Sequence, residues 1–134
     1  MKILYEDTFL IIKFDDQLKL MYTSWTGYTT DFEEQEIKRL INIFVNFLDE
    51  YKPNFILADD SKRSSVYPVE VQKWVANTIA KGAVRANVSK YAIILPQDLI
   101  SSLSTEQVVD EVIDMPFELQ YFENEENAKN WFFL

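Results

Sequence analysis

No cysteine and no histidine occur anywhere in this 134-residue chain. Their absence removes whole classes of chemistry: disulfide staples, thiolate nucleophiles, zinc sites of the Cys/His kind and every Ser-His-Asp triad. Histidine is also the side chain that most readily exchanges a proton near neutral pH. Hydrolysis or proton transfer would have to fall to carboxylates, lysines or tyrosines. The chain therefore reads as a non-enzyme, with no catalytic residue, no metal site and no cofactor.

Glycine (two residues) and proline (four) are scarce, which leaves no stretch for a long flexible linker. A chain of this length folding as one unit buries roughly two-thirds of its unfolded surface. One domain over residues 1–134, built around a continuous core, is the expectation. No apolar run approaches the roughly 20 residues of a membrane helix, and Glu6 and Asp7 interrupt the apolar stretch that a signal peptide needs. The expected location is cytoplasmic, without membrane insertion. Thirteen cations stand against 22 acids, a net charge of −9. Such a surface keeps a protein soluble and repels phosphate backbones, so nucleic acid is not an expected partner.

What is present is a series of periodic apolar segments. Ile3 to Tyr5, Phe9 to Phe14 and Leu18 to Tyr22 read as strands, the last two joined by the polar turn Asp15-Asp16-Gln17. From Asp31 to Tyr51 the period changes to that of a helix, with Ile37, Leu40, Ile41, Phe44, Leu48 and Tyr51 on one stripe. Thr30 and Glu33 have capping-box spacing at its start, and Pro53 ends it. The unbroken run Phe55 to Ala58 marks a strand buried on both faces.

Pro68 suits the first turn of a second helix, with Val71, Trp74, Val75, Thr78 and Ile79 on its buried side and Gly82 as its stop. Tyr91 to Leu95 is another buried strand. Leu99, Ile100 and Leu103, then Val108, Val109, Val112 and Ile113, have helical spacing. Phe117 to Phe122 reads as a strand, and a short helix opening at Asn124 packs Ala128, Trp131 and Phe132. The order is β-β-β-α-β-α-β-α-β-α. It predicts an α/β fold with a mixed sheet of five or six strands and about four helices, antiparallel first and parallel thereafter.

Three places hold chemistry worth weighing. Asp59 and Asp60 sit where a buried strand opens into a loop, the usual seat of function in open α/β sheets. With Glu6 and Asp7 they evoke a magnesium-binding carboxylate cluster. That reading fails because the first strand feeds a second strand, not a helix; acids that turn a strand into solvent are common. Ser61, Lys62, Arg63, Ser64 and Ser65 continue the loop. Two cations and free helix N–H groups there suit a phosphate, although serines before a helix more often serve as caps. Tyr22, Trp25, Tyr28 and Phe32 gather around one loop. They could form a partner-binding patch or line an apolar cavity; aromatics more often cover the edge of a core.

Several of these features together resemble one family. Trp25-x-Gly27 leading to the first helix, Asp59 ending a buried strand, Gln72-x-Trp74 in the next helix, and Tyr121-Phe122 followed by Ala128-x-x-Trp131 are similar to SpoIIAA-like (STAS-like) proteins. These are the structural family of anti-sigma-factor antagonists, and the similarity is greatest to small stand-alone members. It runs through nearly the whole chain on motifs that are mostly structural. The resemblance implies four or five helices on a mixed sheet, acting by protein–protein contact. Classical members exchange partners when a serine at the start of the second helix is phosphorylated. Their Asp-Ser-Ser-Gly signature is replaced here by Ser64-Ser65-Val66-Tyr67-Pro68.

The expectation is therefore a regulatory or interaction module whose partner is another protein, with homodimerisation left open. The partner-binding or switch surface would be the loop from Asp59 to Ser65. Lipid-binding relatives of the same broad fold imply the alternative, a sensor of a small apolar ligand.

Overall fold

A computed structural model of the chain describes residues 1–26, 33–62, 68–95 and 116–133. Six strands form one mixed sheet: β1 (Lys2–Glu6), β2 (Leu10–Asp15), β3 (Leu20–Trp25), β4 (Phe55–Asp59), β5 (Lys90–Ile94) and β6 (Glu118–Phe122). Their spatial order equals their chain order. The first two pairings are antiparallel and the last three parallel, as the change of period in the sequence predicts. Three helices accompany them among the described residues: α1 (Glu34–Tyr51), α2 (Val69–Ala86) and α3 (Glu125–Phe132). The helical segment expected within 96–115 lies outside the described residues. No described helix is long and apolar enough to cross a membrane.

Alternation along the strands divides the sheet into two faces. Leu10, Ile12 and Phe14 of β2, with Met21 and Trp25 of β3, point into a large core shared with α1 and α2. Ile56 and Ala58 join them, while Leu57 points the other way, to a smaller cluster with Leu20, Ala92, Ile94, Ala128 and Phe132. That explains why Phe55 to Ala58 carries no polar residue: both sides of β4 are covered. α1 and α2 cross over on the same face and pack on each other. Of the described helices, α3 alone lies on the opposite face, against β4, β5 and β6.

The hairpin turn forms because Asp15 Oδ1 accepts hydrogen bonds from the N–H groups of Gln17 and Leu18, each 3.0 Å. Leu18, expected in a strand, is instead an exposed turn residue, and β3 begins at Leu20. At the sheet edge, β1 changes register between Ile3 and Tyr5, a bulge that sets Leu4 and Tyr5 both against the large core.

Glu33 is the N-cap of α1 and makes no side-chain cap; Thr30 of the expected capping box lies outside the described residues. Glu34 and Glu36 in the first turn complement the helix dipole. The helix ends at Tyr51, where Lys52 takes a left-handed conformation and Pro53 forbids continuation. Asn124 caps α3 through its side chain, which accepts from Asn127 N–H at 2.9 Å, as its sequence position predicts.

α2 departs most from expectation. Gly82 does not stop it: the helix runs four residues further, to Ala86, and Asn87 provides the left-handed terminus. Gly82 is buried against α1, where an added Cβ would lie 3.1 Å from Val45 Cγ1 and 3.3 Å from Leu48 Cδ1. The fully buried side of α2 is Val71, Ala80, Gly82, Ala83 and Ala86, small residues that let two helices approach closely. Trp74, Val75 and Ile79 are only partly buried and pack on the edge of the core. Trp74 is therefore a rim residue, with Lys38 Nζ 5.1 Å from its ring centre.

Candidate functional site

All parallel strands end on one rim of the sheet, at Trp25, Asp59, Ile94 and Phe122. Because β2 runs antiparallel to β3, the turn from β1 to β2 reaches the same rim. Thr26 holds it there, donating from its N–H to the carbonyl of Phe9 (2.9 Å) and from Oγ1 to that of Thr8 (2.6 Å). Further along, Asp60 N–H donates to the Ile94 carbonyl and Leu95 N–H to that of Phe122, each 3.0 Å. These bonds carry the β2–β3, β4–β5 and β5–β6 pairings one step beyond the strand ends.

Asp59 is the organiser of the loop after β4. Its Oδ1 accepts from the N–H of Ser61 at 3.0 Å and from Ser61 Oγ at 2.6 Å, an Asx turn. Oδ2 accepts from Tyr22 Oη at 3.4 Å. Burial pushes the Tyr22 phenol above its ordinary value, helped by the charges of Asp59 and Glu125 and opposed by a hydrogen bond with Ser24. Tyr22 is thus a neutral donor to a carboxylate, not a phenolate.

Asp60 faces the other way. It is only 8 % exposed, and its charge acts on Tyr91, a fully enclosed member of the large core. Burial, and then Asp60, hold the Tyr91 phenol far above the usual tyrosine range. The two adjacent acids do not converge, because successive residues leaving a strand point to opposite faces. Among the described residues no three carboxylates gather to hold a metal ion.

Of the loop expected to carry function, Ser61 is half-buried and Lys62 exposed; Arg63, Ser64 and Ser65 lie outside the described residues. The expected aromatic patch is divided. Trp25 is buried in the large core and Tyr22 belongs to the opposite face, since residues three apart on a strand cannot share a side. Tyr28 and Phe32 lie outside the described residues. The expected crevice beyond β4 also lacks its usual cause. Such crevices open where successive crossovers leave on opposite faces, and here α1 and α2 share one face.

One polar cluster on the rim escapes the sequence reading. Asp7 Oδ1 accepts from the N–H groups of Phe9 (2.7 Å) and Leu10 (2.9 Å), Tyr5 Oη donates to its Oδ2, and Arg39 Nη2 lies 3.7 Å from the same oxygen. Arg39 also donates from Nε to Glu36 at 3.1 Å. Burial works to raise the Asp7 carboxyl, but the Tyr5 and backbone donors and Arg39 outweigh it and hold it below its ordinary value. Asp-Thr-Phe after a strand is legible as an Asx turn. Arg39, more than thirty residues away on α1, has no local signal.

Compared with protein-family models, curated proteins and solved structures, the chain has no match.

Proposed function

We propose that this chain is a non-enzymatic regulatory or protein-interaction module of STAS-like type, which engages another protein through the rim beyond β4. The observation that carries this reading is the use made of the rim acids. Asp59 shapes the turn through Ser61 and Tyr22, and Asp7 shapes the neighbouring turn through Tyr5, Phe9 and Leu10. These are scaffolding roles that present a fixed backbone surface, with Lys62 projecting from it. The order of strands and helices supports the family, as do Trp25 and Asp59 at strand ends and Trp131 on the last helix.

The test is capture from the native host with the wild-type chain and Lys62→Glu as parallel baits. An exposed loop substitution changes stability by no more than about 0.5 kcal/mol, so both baits should melt alike. The reading expects one protein retained by the wild type and lost by the variant. Equal retention by both baits would move the surface elsewhere. A lipid-like small molecule co-purifying in place of any protein would overturn the reading in favour of a ligand sensor.

A further inference from the structure

We draw no further inference here: the strongest candidate, the α3-side face of the β1–β3 meander where Ile3, Ile11 and Tyr22 surround Lys13, is a sheet face left without a helix among the described residues, and nothing in the structure shows what covers it.

Discussion

Among the described residues, two eighteen-residue helices pack on each other and on side chains from most of the strands on one face of the sheet, and one eight-residue helix covers three strands on the other. The first face is a continuous core. The second holds a small cluster in which Phe132 stacks on Phe55 with ring centres 5.0 Å apart. Hydrophobic stabilisation follows apolar area removed from water, so the two faces contribute unequally. Cooperative stability should reside in the larger core, and α3 should be the element that opens first.

Phe44→Ala, in the middle of α1 on the large core, should show the largest effect: about 3–5 kcal/mol lost in urea unfolding, as for other buried aromatic truncations. A loss below about 1 kcal/mol would mean that the large core does not dominate. Phe132→Ala removes a ring of the same size from the α3 face. It should cost less, under about 3 kcal/mol, because local detachment of α3 limits the penalty. Hydrogen exchange should then accelerate in α3 while β2 and β3 stay protected; uniform acceleration would show that the two faces unfold as one.

Gly82→Ala probes the contact between α1 and α2. Alanine favours a helix interior over glycine by about 1 kcal/mol. The new methyl, however, meets both methyls of Val45, a stiff β-branched side chain, and overpacking costs about 1–3 kcal/mol. A net loss of about 1 kcal/mol is expected, and a stabilised variant would mean that the helices separate freely.

The smallest effect concerns pH. Asp7 has a folded carboxyl below its ordinary value of 3.8. Its contribution is therefore present above the unfolded value and is lost as pH falls through the folded one. Asp7→Asn should remove that part of the acid-side loss and leave the profile above pH ~5 parallel to the wild type. An unchanged acid limb would place the titration on another carboxylate.

What the sequence made legible was local. Leu10, Ile12 and Phe14 alternate, Phe55 to Ala58 does not, and Asn124 caps a helix by its own side chain; each signal spans a few residues and each element is where it was expected. What was missed depends on a partner distant in the chain. Trp74 reads as core by size and spacing, yet it packs only partly buried against the core, while Gly82 and the alanines near it are buried and Gly82 lies against Val45 and Leu48 of α1. Gly82 reads as a stop because only α1 reveals why a side chain is excluded there. At the candidate site, the strand end at Asp59 was legible, but the opposite orientation of Asp60 and the separation of Tyr22 from Trp25 follow from strand register. The tether from Arg39 to Asp7 follows from how α1 lies across the hairpin.

The consecutive order of the strands has a consequence for how the molecule is made. No strand has to be inserted between two already paired, and each finds its neighbour in the strand that preceded it. During synthesis a chain emerges from its amino end at about 5–20 residues per second. The hairpin from β1 to β3 can close as soon as Trp25 is free, and each later strand then adds to a template already waiting. Each parallel pairing, from Leu20 to Phe55, Phe55 to Lys90 and Lys90 to Glu118, closes roughly 30 residues of chain, so these steps are slower than the antiparallel closures before them. α3 follows β6 in the chain and can seal its face only when the three strands beneath it are in place.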